Sequence, residues 1–523
     1  MPVATAPTAP PPAAAWAQLN RLAFGPRAGE AELMHRQGLA AWLDQQLKPD
    51  EAADGESRKR LAAATLRIRY PAGDQYPAVD ETRPLGTLAA PIEQVWPLAD
   101  GKRPIAGAER QRPRQEVMAA TLIRAVYSRW QLREVLVDFW HNHFNVNAAG
   151  DQSVAAALPS FDRDAIRPHA LGNFRQLLGA VAKSPAMLVY LNNRSSRAGN
   201  ANENYARELF ELHGLGRAAY FNDLYSRWRD VPGAADGHAA GYIDGDVYEA
   251  ARAFTGWSIE DGAGLGGELR LPMTGRFVYV EAWHDNYQKR VLASEFDPFQ
   301  PAMADGERVL DLVAFHPATA RHVATKLCQR LVADAPPPGL VQAAADRFIK
   351  LRDRPDQIAQ TVRLIATSPD IARGAGAKVK RPLELVASFM RASGIDFQPT
   401  LGLLGELDGS GQRLFGWGPP TGHPDTADYW TSTSAMRRRW SLVLGTAENW
   451  WSTGVFDPTH AVGGGEVAAA SVLGYWLPLL TGTHEGAEDL AAAMGVEPMT
   501  VLATDQARRL VALAALSPRF QRR

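Results

Sequence analysis

Apolar residues recur every three or four positions along most of the chain, a spacing that predicts helices. They fall at about 14–47 (broken by FGPRAGE), 113–129, 131–144, 158–189, 200–213 and 245–256. Further helices follow at about 317–333, 338–351, 355–368, 380–394, 434–452, 466–481 and 498–516. One stretch departs from this rhythm. GGELRL, the turn PMTG and RFVYV read as a β-hairpin over 262–281, with Phe277, Val278, Tyr279 and Val280 as strand formers. Residues 70–108 and 408–433 are rich in Pro and Gly and read as long irregular segments. The expected fold is therefore mainly α, a large multi-helix globular fold with a small hairpin near 262–281 and long ordered loops. The Ala/Pro-rich residues 1–13 read as a disordered arm, 14–445 as the main helical domain, and 446–523 as a helical extension packed on it.

Composition narrows the function classes. Fifty-six Lys and Arg stand against 57 Asp and Glu, a near-neutral balance that argues against a dedicated nucleic-acid binder. No apolar run reaches the roughly 20 residues a membrane span needs, so no membrane role is expected. The N-terminus lacks a basic n-region and is interrupted by prolines, which makes the cytoplasm the default compartment. The lone Cys328 rules out a disulfide scaffold and reads as a buried, inert thiol.

Several blocks carry candidate chemistry. In LREVLVDFWHNHFNVN (132–147), Leu132, Val135, Leu136, Phe139, Trp140 and His143 share one helix face, whereas His141 lies about 200° round beside Asp138. A core His143 and a solvated His141 are the plain structural expectation. In NANENYARELFELHGLG (200–216), Asn200 and Glu203 fit a capping box and Gly214 fits a helix stop. Tyr205, Leu209 and Leu212 form an apolar stripe, and Asn204, Arg207, Glu208 and Glu211 a polar one. Two carboxylates three residues apart suit acid–base work or metal ligation, although a solvated charged face has the same spacing. His213 falls in the last turn, where the helix dipole favours its charged form.

Four later blocks add candidates. GDVYEAARAFTGW (245–257) reads as a helix capped by Asp246 and Glu249, and contributes Arg252 and Trp257. WHDNYQK contributes His284, Asp285 and Lys289, which suit either a site or turn capping. On HPATARHVATKLCQRL, His322, Lys326 and Arg330 share a face away from the apolar one, and GWGPPTGHPDTADYW offers Trp417, His423 and Trp430. Loop tryptophans suit stacking on sugar rings, and suit a large core equally well. Phosphate-binding loops, the serine nucleophile elbow and the usual metal motifs are absent.

Together these blocks resemble a bacterial family known as domain of unknown function 1800. The matching stretches are LNRLAFGPR, FWHNHF, NENYARELFELHGLG, DVYEAARAFTGW, His284–Asp285 with Lys289, HPATARHVATKL, KVKRPLE and GWGPPTG, over about residues 19–445. The resemblance implies a helical protein with no established activity. It implies a periplasmic or exported setting for many members and a sulfatase-like partner protein, and it gives the polar stripe after Asn204 more functional weight.

The expectation is an enzyme whose catalytic set is Glu208, Glu211, His143, Arg207, Asn204, His213, His284 and Asp285. Trp257, Trp417, Trp430, Lys289 and Arg252 would bind a carbohydrate-like or small-molecule substrate, cleaved by hydrolysis or elimination. One alternative is a metal-dependent enzyme using a divalent cofactor (Zn, Mn or Fe) on Glu208, Glu211, His143 and His284, with His213 as a further donor. The other is a non-catalytic assembly or binding protein.

Overall fold

In the computed structural model, which describes residues 11–374 and 376–523, the chain forms twenty-four α-helices and five two-stranded antiparallel sheets among the described residues. The fold is mainly α. The arm expected over 1–13 lies almost wholly outside the described residues, and a helix already starts at Ala13. One apolar cluster takes in side chains from Ala15 to Phe520, so the last helices share a core with the first.

The hairpin near 262–281 forms with a different outer strand. Trp257–Asp261 pairs with Met273–Tyr279 in a register that sets Trp257 opposite Tyr279, while GELR makes only a short inner ladder. A second hairpin, Thr65–Tyr70 with Val79–Pro84, occupies the edge of the segment expected to be irregular. Its turn residues masked a six-residue alternation of buried and exposed positions in the first strand. The helix expected over 158–189 is cut into five pieces, with a π-helical turn at Phe161–Ile166 and a 3-10 turn at Arg167–His169.

The helix Gln131–His143 lies at the centre. Leu132, Val135, Leu136, Phe139 and Trp140 are buried, as their spacing requires, and the Trp140 indole donates to the Ala170 carbonyl at 2.9 Å. Its other flank is buried as well, which the apolar pattern does not suggest. His141 is not solvated: its Nε2 lies 2.9 Å from Asp162, which also accepts from Arg167 (2.9 Å) and Arg124 (3.2 Å). Arg167 makes a two-pronged contact with Glu134 at 2.9 and 3.1 Å.

A second buried ion network fixes this helix to two others. Asp138 accepts from Arg330 at 3.1 Å, on the helix Pro317–Leu331, and from Arg381, which caps the helix Pro382–Ser393. Glu384 accepts from Arg330, from the Arg381 backbone N–H (2.8 Å) and from Arg523 (3.2 Å). Burial alone would raise the Glu384 carboxyl; the three guanidinium groups overcome that and hold it well below the usual range.

Removing one partner of such a network leaves charges buried without compensation. Glu384→Gln is expected to lower the free energy of unfolding by about 3–5 kcal/mol in urea titrations. A loss below about 1 kcal/mol would mean that the network is already hydrated.

Candidate functional site

The helix that carries the polar stripe starts at Glu203. Its cap is Asn202, whose side-chain oxygen accepts the Asn204 N–H at 2.9 Å; the Asn200 capping box does not form. After Glu208 the helix widens into a π-helical turn, Leu209–His213. The extra residue in that turn shifts the phase of everything after it. His213 is thereby turned into the core at 1% exposure, and Leu212, expected in the apolar stripe, is only partly buried. The Gly216 N–H closes the turn on the Phe210 carbonyl at 2.9 Å. Gly216 has φ +84°, and a Cβ there would lie 2.7 Å from His322 Nδ1, so a side chain is excluded twice over.

Three imidazoles meet at this turn. His143 Nε2 donates to the His213 carbonyl and His322 Nε2 to the Leu212 carbonyl, each at 3.1 Å. The His143 ring lies 6.2 Å from that of His213 and 6.1 Å from that of His322. Burial, then the charge of Lys326, lowers all three: His213 to about 3, His322 to about 4 and His143 well below its ordinary value. His213 is therefore neutral at pH 7, and the dipole-charged form expected from its place in the helix is overturned by desolvation. Both of its ring nitrogens, and Nδ1 of His143, have no hydrogen-bond partner among the described residues.

Glu208 and Glu211 are half-buried on the outer flank of the same segment. Arg207 pairs with Glu203 and Asp244, each at 3.3 Å, and leaves the two carboxylates without an ion-pair partner among the described residues. Burial, then the charge of Glu211, raises the Glu208 carboxyl. Burial and the charge of Glu208 in turn push Tyr190 up to about 12, and the Tyr190 hydroxyl donates to the Gly418 carbonyl at 2.6 Å. Asn145 fastens the same loop by donating to the carbonyls of Trp417 (3.1 Å) and Pro419 (2.8 Å). Asn142 exchanges two hydrogen bonds with the His423 backbone, at 3.0 and 2.7 Å. The side chain of Asn204 is spent on the Leu191 carbonyl at 3.3 Å.

The other flank borders an open cavity of about 630 Å³, lined by Glu203, Arg207, Asp244 and Glu249 and edged by Tyr225 and Tyr248. These two rings are 70% and 51% exposed, and Tyr225 is held out on a left-handed backbone (φ 50°). The helix behind the cavity runs Asp244–Ala253. Asp246 sits in its first turn and accepts the Ile243 N–H at 3.0 Å, so the Asp246/Glu249 box is displaced by three residues.

His284, Asp285, Arg252 and Lys289 are held together by a hydrogen-bond network that also takes in Thr255 and Asp305. Asp285 takes both prongs of Arg252 at 2.9 and 3.0 Å. His284 contacts the Thr255 carbonyl (2.9 Å) and Asp305 (3.3 Å), and Lys289 donates to Asp305 at 2.7 Å. The four expected metal donors thus divide between neighbourhoods, His143 at the π-turn and His284 at Asp305. No group of three or more His, Cys, Asp or Glu able to hold a metal ion is found among the described residues. The three tryptophans expected to bind substrate are packed against other side chains. Trp257 is 0% exposed against Phe254 and Phe277, Trp430 is buried with its indole on the Pro424 carbonyl, and Trp417 packs on His423 and Tyr429. Tyr190 and Asn145 carry no signal in the sequence, whereas His322 and Lys326 stand out there only as a shared polar face without a role. The i, i+4 spacing of His322 and Lys326 puts both on one face of their helix.

A family model described as protein of unknown function (DUF1800) matches residues 17–522, and the chain belongs to that family. No curated protein and no solved structure matches. No helix is long and apolar enough to cross a membrane among the described residues.

The buried histidines fix the sign of one pH dependence. His213, His322 and His423 (about 3, 4 and 3) lie below the roughly 6.5 of an unfolded imidazole. Their contribution to stability is complete above about pH 6.5 and lost as pH falls toward the folded values, at about 1.4 kcal/mol per unit for each group. The urea midpoint is expected to be lower at pH 5 than at pH 7, with a smaller difference in His322→Gln; equal wild-type midpoints would contradict these assignments.

Proposed function

We propose that this protein is an enzyme acting on a carbohydrate-like, polyhydroxylated substrate, with Glu208 and Glu211 as its acid–base pair. The observation that carries this reading is the raised carboxyl of Glu208, set beside a second carboxylate and given no cation. An ordinary surface helix would pair those acids with lysine or arginine three or four residues away. Here Arg207 is turned to Asp244 instead. A carboxyl that keeps its proton to higher pH is suited to deliver it to a leaving oxygen, and a second carboxylate beside it is placed to draw one.

Both groups reach the substrate from one helix flank. Acid and base of a glycoside hydrolase normally stand on opposite sides of the bond. Same-side placement favours elimination: Glu211 takes a proton from carbon, the C–O bond breaks as a C=C bond forms, and Glu208 protonates the departing oxygen. The neighbouring cavity supports a polyol substrate. The exposed faces of Tyr225 and Tyr248 suit the C–H side of a sugar ring, and the Arg207–Asp244 pair offers both donors and acceptors to hydroxyls.

The test is product release from a panel of neutral and acidic oligosaccharides. Glu208→Gln and Glu211→Gln should each lose about 10²–10⁴-fold in rate. Glu208→Gln should also leave stability unchanged or raise it by a few tenths of a kcal/mol, since it removes a like-charge contact. Full turnover in both variants would sink the proposal, as would a large fall in melting temperature with unchanged turnover.

A further inference from the structure

The carbonyls of Leu212 and His213 lie at the end of a helix, where no following turn supplies N–H groups. His213 is buried, so its carbonyl needs a partner from the protein. The chain leaves sharply at Gly214 (φ −118°, ψ −106°). Two imidazoles from distant parts of the sequence take up these two carbonyls. His143 ends the helix Gln131–His143 and donates to His213; His322 lies in the helix Pro317–Leu331 and donates to Leu212. A carbonyl only accepts, so each Nε2 carries the proton and each Nδ1 is bare. The fit is close on the far side as well, because only glycine at 216 leaves room for the His322 ring.

We propose that His143 and His322 are positioning residues: they clamp the Leu209–His213 π-turn and thereby set where Glu208 and Glu211 stand. A π-turn is less favourable than continued α-helix and persists where its surroundings fix it. Without the clamps, the segment is free to relax to regular α-helix, which rotates Glu211 relative to Glu208. The purpose of the clamp rests on the acid–base reading above; its geometry does not.

Three measurements test it, none using a substrate. In ¹⁵N NMR of the wild-type protein, His143 and His322 should both be neutral Nε2–H tautomers; an Nδ1–H form of either overturns the clamp. In His322→Phe, which keeps a ring and loses the donor, amide exchange across 210–216 should quicken at least tenfold. The pH midpoint for carbodiimide labelling of Glu208, read by peptide mass spectrometry, should fall toward that of an ordinary glutamate. His322→Gln, whose amide reaches as far as Nε2, should restore both. Unchanged exchange and labelling in His322→Phe would overturn the proposal, and so would a His322→Gln variant indistinguishable from it. Failure to find carbohydrate turnover would count against the acid–base reading alone.

Discussion

Asp138 binds three helices that are distant in sequence. It receives Arg330 from one and Arg381 from the cap of another, while its own helix carries His143 five residues further on. Because these charges are buried, the arrangement tolerates little slack: a guanidinium that drifts from its carboxylate leaves both desolvated. The network thus fixes the helices bearing His143 and His322 relative to each other, and those two rings reach the π-turn only in that arrangement. Charge pairing in the interior, more than apolar packing, sets the geometry of the candidate site.

The site works against stability in several places. Two carboxylates share a flank without a counter-ion, Tyr225 occupies a left-handed backbone, and His213 sits buried with both ring nitrogens unpartnered. Each feature is unfavourable taken alone, and they gather around one eleven-residue stretch and the cavity beside it. Strain concentrated in this way is what a site held ready for chemistry would show. The Arg252–Asp285 contact is two-pronged, and Lys289 and His284 share one oxygen of Asp305, contacts that tie the 284–289 loop to two helices.

Helical periodicity made most helices and their buried faces legible, as at Leu132, Val135, Leu136 and Phe139. It misplaced His213 and Leu212, because a helical wheel assumes 3.6 residues per turn and the π-turn inserts one more. It left His141 in solvent, because its partner Asp162 stands twenty-one residues away. The Asp138–Arg381 contact spans 243 residues and has no local signature beyond a charge embedded in an apolar helix. The tryptophans show the limit of composition. Trp257 and Trp430 stand next to Gly- and Pro-rich loops, yet fill the core. The Glu208–Glu211 stripe was visible from spacing, but that neither acid has a cation follows only once Arg207 is seen to reach Asp244.

Half-burial beside Glu211 raises the Glu208 carboxyl, and the proposed chemistry depends on that. A ¹³C NMR titration of the Glu208 side-chain carboxyl in the wild-type protein tests this directly. The expected midpoint lies above the ordinary glutamate value and shifts downward when Glu211 is replaced by Gln. A midpoint at or below that of a free glutamate, insensitive to position 211, would contradict it.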